Sequence, residues 1–288
     1  MADLVKKVRT SSGDLQIDYR ALANLPAINN NLLVNSDFRN TINQRGNTTY
    51  TDNSSDEKWT YTIDRWRIKN LTLTVNATSI TIKNNGTSPY GFQQPIGYYL
   101  PLGTYTASCA VRSITGNAYM SVTNSNNSNN LVVGINSYTW TNVSIGSMSI
   151  VVDAGSQVEL EWAKLEVGNA ATTFFPRLLD EEIMICQRFY QTVSSHRFMM
   201  LMTTSNAASG HIQLVPTMRA TPSVSVTSFK YLDSTLNGHV DAKNVSADTS
   251  YTKDTVVVIQ IEKNSNSTLT KGSVLNGNIS ASFDAEIY

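Results

Sequence analysis

Lys164–Gln191 reads K-L-E-V-G-N-A-A-T-T-F-F-P-R-L-L-D-E-E-I-M-I-C-Q-R-F-Y-Q, and this stretch divides the chain into two parts. It contains the clearest helical pattern in the sequence. Apolar residues recur at alternating spacings of four and three, which places them on one stripe of a helix. Pro176 precedes the pattern and an acidic triplet opens it, as is typical of a helix N-terminus. The sequence predicts a helix over residues 178–193, with a stripe formed by Leu179, Ile183, Cys186, Tyr190 and Val193.

This stripe has two interpretations that the residues alone leave open. A helix of about four turns is short for a core element and suits a joint between domains. If the stripe packs on copies of itself, it is also an oligomer interface. If it packs on the sheets of its own chain, it is an ordinary buried face.

Composition narrows the class of partner. The chain has 288 residues, 22 of them basic and 22 acidic, so its formal net charge is zero. A neutral chain lacks the basic surface on which nucleic-acid binding depends, and no nucleic-acid partner is expected. Asn, Ser and Thr are plentiful, as is common in β proteins that work outside cells or on particles.

The N-terminus and the two cysteines argue against several other classes. Met1–Lys7 has no apolar run long enough for a signal peptide or a membrane span, so synthesis in the cytoplasm without membrane insertion is expected. Cys109 and Cys186 fit no disulfide or metal spacing and are interpreted as buried apolar residues. No metal and no cofactor is expected.

Short strands on both sides of the helix predict the fold class. Tyr105–Val111 alternates apolar and polar residues, and so does Val158–Trp162. Many short strands separated by Gly and Asn turns are typical of a sandwich or jelly roll. We therefore expect an all-β protein: a jelly-roll β-sandwich, a short linking helix and a second, smaller β-sandwich. The expected regions are an N-terminal attachment segment at 1–29, the jelly roll at 30–177, the helix at 178–193 and the distal β domain at 194–288.

Catalysis is not indicated. Glu159 and Glu161 project to one side of a strand, but neighbouring carboxylates on a solvated strand face are commoner than a catalytic pair. The three histidines form no metal motif, and neither a nucleophile elbow nor a phosphate loop is present. The protein is expected not to be an enzyme.

A resemblance to a known fold family covers about the first half of the chain. The motifs that carry it, in order, are N-L-L-V-N-S-D-F at Asn31–Phe38, G-F-Q-Q at Gly91–Gln94, L-P-L-G-T-Y-T-A-S at Leu100–Ser108, Y-T-W-T-N-V-S at Tyr138–Ser144 and V-E-L-E-W-A-K-L-E-V-G at Val158–Gly168. Together they resemble a carbohydrate-binding-module-like jelly roll of the galactose-binding-like type.

This resemblance implies a sugar site of aromatic rings and amides, because rings stack on the apolar faces of sugars and amides bond their hydroxyls. The predicted carbohydrate-binding residues are Trp59, Tyr61, Tyr90, Gln93, Gln94 and Trp140, with Tyr98 and Tyr99 as further candidates. The aromatic residues predicted to lie in the core instead are Trp66, Tyr105 and Trp162. Arg65 and Arg67, on either side of Trp66, are either contacts for an acidic sugar or part of a strand-edge salt bridge, and the salt bridge is favoured.

A narrower resemblance covers more of the chain. N-L-L-V-N-S-D-F-R-N-T-I-N-Q-R-G, Y-T-I-D-R-W-R, K-L-E-V-G-N-A-A-T-T-F-F-P-R, C-Q-R-F-Y-Q and V-P-T-M-R-A-T-P-S-V are similar to runs in bacteriophage and prophage tail fibre or receptor-binding proteins. The resemblance implies a homotrimeric virion component. Its N-terminal segment would attach to other tail or baseplate proteins, and its outer domains would bind a host cell-surface glycan. The alternative is a purely structural virion protein, in a baseplate, collar or head fibre, whose jelly roll binds only neighbouring proteins.

Overall fold

The computed structural model describes residues 7–10, 13–16, 31–53, 58–97, 99–123, 127–233, 238–248, 250 and 252–286. Strands account for 51% of the chain and helix for 5%, which confirms the all-β prediction. Most of the expected N-terminal segment, and Tyr98, lie outside the described residues. Within that segment, β1 (Lys7–Thr10) pairs antiparallel with β2 (Gly13–Gln16). No helix in the described ranges is long and apolar enough to cross a membrane.

Two antiparallel sheets face each other in the first β-sandwich. The strands are β3 (Thr49–Thr51), β4 (Thr60–Tyr61), β5 (Arg67–Ile68), β6 (Thr72–Val75), β7 (Ile80–Lys83), β8 (Tyr90–Pro95), β9 (Gly103–Thr115), β10 (Ala118–Val122), β11 (Gly134–Val143), β12 (Ser147–Val152) and β13 (Gln157–Val167). One sheet has the order β10-β12-β8-β5-β4, and the other has the order β11-β9-β13-β7-β6-β3.

Alternation along these strands builds the core between the sheets. Every second residue points inward, so apolar side chains from both sheets meet in one cluster. At its centre the rings of Trp66 and Phe92 stack at 4.4 Å, with Phe38 set edge-on to both. The three aromatic residues predicted to be core, Trp66, Tyr105 and Trp162, are all buried, which confirms that prediction. Trp162 is covered from outside by the ring of Phe174, stacked at 4.7 Å.

The linking helix is shorter than predicted. α1 spans Leu179–Gln187, and the chain then turns through Arg188 and Phe189, whose N–H groups bond to the carbonyls of Ile185 and Cys186. Tyr190 already begins a strand and pairs with Asp284. The prediction of a helix to residue 193 is therefore wrong. Aromatic and β-branched residues after Gln187 favour a strand, and a partner strand is present to receive their backbone groups.

The five-residue stripe consequently does not exist as one helix face. Cys186 is fully buried inside its own chain, and Arg45 lies 3.9 Å from the centre of the Tyr190 ring. Val193 lies on the strand that follows α1, while Leu179 is exposed. Cys186 is thus not placed to contact another copy, while Tyr190 is half-buried.

The remaining strands are β14 (Tyr190–Met202), β15 (Ala207–Gln213), β16 (Ser223–Asp233), β17 (Gly238–Asp241), β18 (Asn244–Ala247), β19 (Val256–Glu262) and β20 (Val274–Asp284). They form one seven-stranded antiparallel sheet with the order β17-β16-β20-β14-β15-β19-β18. The sheet curls, since β16 and β18 approach each other from near opposite ends of that order. A second apolar cluster fills its inner face, between residues 200 and 285, and is separate from the cluster of the first sandwich. The expected domain boundaries themselves stay a prediction.

A buried ionic joint connects the two β regions. Arg65, in the turn between β4 and β5, donates from Nη1 to Oε2 of Glu286 at 2.6 Å and from Nη2 to the carbonyl of Pro95 at 2.7 Å. Its guanidinium also lies 3.7 Å from the centre of the Phe189 ring. The favoured interpretation of Arg65 as a salt-bridge residue therefore has the right chemistry, but the bridge is a buried contact between domains and does not lie at a strand edge.

Candidate functional site

Strand parity separates the predicted sugar-binding residues of β8. Phe92 points into the core and Gln93 points outward, so Gln94 points inward again. Gln94 is only 1% exposed, and its amide bonds both the N–H and the carbonyl of Val34, at 2.7 and 2.6 Å. The prediction that Gln94 contacts a sugar is wrong, because its amide fastens the segment before β3 to the sheet.

Three of the aromatic residues predicted to bind sugar also point towards the protein interior. Tyr61 is 8% exposed and Trp140 is 3% exposed, so both predictions are wrong. Tyr61 lies beneath Arg45, and Trp140 packs edge-on against Tyr138 at 4.8 Å. Tyr90 is half-buried against the core on the inward side of β8, away from Gln93.

Trp59 and Gln93, by contrast, come together in a groove on the outer face of the five-stranded sheet. The groove has a volume of about 460 Å³, within the usual range for small-ligand sites. Tyr99, a further candidate, also lines it. The lining residues are Trp59, Arg67, Gln93, Pro95, Gly97, Tyr99, Thr123, Gly146 and Ser147.

A chain of hydrogen bonds forms the floor of the groove. Arg67 donates to Oε1 of Gln93 from Nε at 3.0 Å and from Nη2 at 2.6 Å. The amide nitrogen of Gln93 donates to the hydroxyls of Ser147 and Ser149, both at 3.1 Å. Ser147 in turn shares a 2.8 Å bond with the hydroxyl of Thr123. Each bond fixes the rotamer of the next side chain. All four hydrogen-bonding positions of the Gln93 amide are used inside the protein, so the floor offers the oriented hydroxyls of Ser147 and Thr123 to a ligand.

Two aromatic rings flank this floor, and each lies over a glycine. The edge of the Trp59 indole lies over Gly91, where an added Cβ would be 3.5 Å from its Cη2 atom. The ring of Tyr99 lies over Gly146, where an added Cβ would be 3.0 Å from it. Tyr99 is 64% exposed, so its outer ring face is open to solvent. The guanidinium of Arg67 lies 4.8 Å from the Trp59 ring centre and supports it by a cation–π contact.

Arg67 is the charged residue of the lining. Burial lowers the pKa of its guanidinium from the usual value and the nearby charge of Arg65 lowers it further, while the contact with Tyr61 opposes both effects. Arg67 is half-buried, and its contacts with Gln93 and Trp59 hold its guanidinium beside the groove. Any polar ligand group placed against it would meet a strong, oriented donor.

The hydroxyl residues of the floor were missed by sequence reasoning. Ser147 and Ser149 alternate with buried Met148 and Ile150 along β12, and this pattern places both hydroxyls on an outer face. What the pattern does not show is that β12 pairs with β8, which brings Ser149 opposite Gln93. Arg67 was assigned to a salt bridge, although its contacts with Gln93 and Trp59 place it in the groove.

The carboxylate pair on β13 is held as an ionic surface cluster. Arg112 reaches both Glu159 and Glu161, at 3.4 and 2.9 Å. Hydrogen bonds from Ser79 and Ser113, together with Arg112, lower the pKa of Glu159 against a smaller effect of burial. A lowered pKa is the opposite of what a general acid needs. Among the described residues, no group of three or more His, Cys, Asp or Glu is placed to hold a metal ion.

No family model and no curated protein matches the chain. Some solved structures are weakly similar. A mutant of a family 29 carbohydrate-binding module, made to probe ligand recognition, covers 46% of this chain and 98% of its own length, with 10% identity and a TM-score of 0.30. A tandem of family 22 carbohydrate-binding modules from Paenibacillus barcinonensis covers 91% of this chain and 100% of its own, with 9% identity and a TM-score of 0.28.

Discoidin II of Dictyostelium discoideum covers 93% of this chain and 99% of its own length, with 10% identity and a TM-score of 0.20. All these TM-scores are too low for the likeness to support a shared ligand. A functional proposal therefore has to stand on the groove itself.

Proposed function

We propose that this protein is a non-catalytic glycan-binding protein and that the groove on the five-stranded sheet is its binding site. One observation carries the proposal: two aromatic rings, the half-buried Trp59 and the exposed Tyr99, flank a floor of ordered hydroxyl groups. Sugars present apolar ring faces and many hydroxyls. A ring wall with fixed polar partners satisfies both kinds of group at once.

We further propose that the chain acts as a bacteriophage tail fibre or receptor-binding protein on the virion, attaching it to a host-surface glycan. The motif resemblance at Asn31–Phe38 and Lys164–Arg177 supports this role, as does the neutral surface rich in Asn, Ser and Thr. The N-terminal segment would bind other tail or baseplate proteins. Three copies would let weak single sites add up to firm attachment.

The proposed homotrimer needs a different interface from the five-residue stripe. The exposed apolar residues around α1 are Leu178, Leu179 and Met184, with Phe175 nearby on the preceding segment. Of the stripe, Leu179 belongs to this exposed surface. We place the interface between copies on the exposed surface of α1 and of the segment before it.

The alternative, a structural virion protein, has a specific observation in its favour. Leu201 and Val274 are opposite each other on β14 and β20, and Met199 lies on the same outer face of that sheet. All three are exposed. An apolar patch of this kind suits contact with a neighbouring protein.

A glycan array with matched variants tests the proposal. The wild-type protein is expected to bind a subset of bacterial surface polysaccharides, and Trp59→Ala and Tyr99→Ala are each expected to weaken that binding. Ile135→Ala is the matched control, since Ile135 is an exposed apolar residue on β11, in the other sheet, and does not line the groove. Binding that survives both groove substitutions, or that is lost equally in the control, would contradict the proposal and favour the structural alternative.

A further inference from the structure

We infer that the groove takes an internal stretch of a linear glycan, several sugar units long, with one stacking position at Trp59 and a separate one at Tyr99. A single terminal sugar would occupy only one of these positions. This inference rests on the proposed function and narrows its ligand class.

The separation of the two rings follows from strand register. Gly91, beneath Trp59, lies near the start of β8, where it pairs with Val151. Gly146, beneath Tyr99, accepts a hydrogen bond from the N–H of Ile96, just beyond the end of β8. Five residues of extended chain separate Gly91 from Ile96, which is about 16 Å at about 3.3 Å per residue. One pyranose, which is about as large as the ring it stacks on, does not span the two platforms.

The floor between the rings is polar. Of the nine lining residues, only Trp59 and Tyr99 are aromatic, and Gln93, Ser147 and Thr123 lie between them. Gln93 orients this floor through its bonds to Arg67 and Ser147, and Ser147 and Thr123 present hydroxyl groups to whatever crosses the middle of the groove. A ligand that stacks at both ends therefore has to carry hydrogen-bonding groups along the part between, as a chain of sugars does.

The glycine platforms offer a way to move one ring without removing it. A Cβ at Gly146 would lie 3.0 Å from the Tyr99 ring, so a bulky side chain there has to push the ring out of place. Gly146 does not have a left-handed backbone, so the substitution adds no strain of that kind. Gly146→Val thus disables the Tyr99 position while keeping its tyrosine.

The test is affinity against ligand length. The probes are fragments of one to six sugar units from the bacterial surface polysaccharide that binds best on the array, with the same lengths of β-1,4-glucan and mannan as unrelated linear glycans, measured by isothermal titration calorimetry with the full chain. For whichever series binds, affinity is expected to be unmeasurable for the single sugar, to rise with each added unit, and to level off once both rings are covered. Tyr99→Ala and Gly146→Val should each lower affinity for the longest member by about 2- to 12-fold and leave affinity for the short members within about twofold.

The outcomes separate the inference about ligand length from the proposed glycan-binding function. If a single sugar binds as tightly as the longest member, or if Tyr99→Ala weakens short and long members equally, the inference is overturned and the proposed function stands. If no series binds and a broad array of monosaccharides and polysaccharides also fails, the proposed function falls, and the inference falls with it. Unchanged melting temperatures of the variants exclude misfolding as the cause.

Discussion

Arg65 and Glu286 form a buried ion pair, with 2.6 Å between Nη1 and Oε2, although 221 positions separate them in the sequence. Arg65 has a left-handed backbone with φ of 71°, in the turn that joins two strands of the first sandwich. The carboxylate of Glu286 also accepts the backbone N–H of Arg65 at 3.1 Å. The last described residues of the chain thus stabilise a turn that would otherwise be strained, and they fix the second β region against the first.

Removing the carboxylate at this joint is expected to be costly. Glu286→Ala leaves the Arg65 cation buried without its counter-charge, so the free energy of unfolding should fall by about 3–5 kcal/mol. The matched control is Glu161→Ala, which breaks the partly exposed pair with Arg112 and should cost at most about 1 kcal/mol. Urea denaturation followed by tryptophan fluorescence measures both. Equal costs for the two variants would mean that the joint adds no more than a surface pair.

Asp64, in the same joint, makes stability depend on pH. Burial raises the pKa of this carboxyl to about 7, against the opposing effects of Arg45 and of hydrogen bonds from Gln44. Because the folded pKa lies above the unfolded value of about 3.9, the contribution of Asp64 is full below pH 4 and is lost as pH rises through about 7. Asp64→Asn has no such titration. The free energy of unfolding of the wild-type protein, minus that of Asp64→Asn, should therefore fall between pH 4 and pH 7. Denaturation at a series of pH values measures this difference. A difference that stays flat or rises over this range would contradict the assigned pKa.

Neighbouring glutamines on β8 provide a matched pair. Gln93→Ala removes the amide that orients Arg67 and Ser147 in the groove floor and should weaken glycan binding by about tenfold, with a loss of stability of about 1 kcal/mol or less. Gln94→Ala breaks both bonds to Val34 in a buried place and should cost about 1–3 kcal/mol of stability. It should leave the affinity of the protein that remains folded unchanged. Calorimetric titration and thermal melting of both variants check this. If Gln94→Ala weakens glycan binding and Gln93→Ala does not, the groove is not the binding site.

The same two residues show how far the sequence goes. Alternation identifies strands and a sandwich, and it separates Gln93 from Gln94 once one inward neighbour such as Phe92 is known. Alternation does not say which strands pair. Ser147 reaches Gln93 because β12 pairs with β8, and this pairing of strands far apart in the sequence cannot be predicted from a local pattern. Trp140 is a predicted sugar contact because of the resemblance to carbohydrate-binding modules, but its ring packs into the core with Tyr138. The predicted helix is too long for a related reason. The spacing of residues 190–193 fits a helical stripe, but their backbone pairs with β20 and forms a strand.

The exposed side of α1 allows the proposed trimer to be tested without disturbing the joint. Leu179→Asp with Met184→Asp places charge on an exposed apolar surface, which should leave a monomer stable but disrupt an interface formed there. Tyr190→Asp would be a poor choice, because it removes the ring that contacts Arg45 inside the chain. Light scattering is expected to give three chains for the wild-type protein and one for the double variant, with Met199→Asp, on the distant sheet face, as the control. A wild-type monomer would contradict the proposed trimer. A trimer that survives the double variant but not Met199→Asp would move the interface to the apolar patch of β14 and β20.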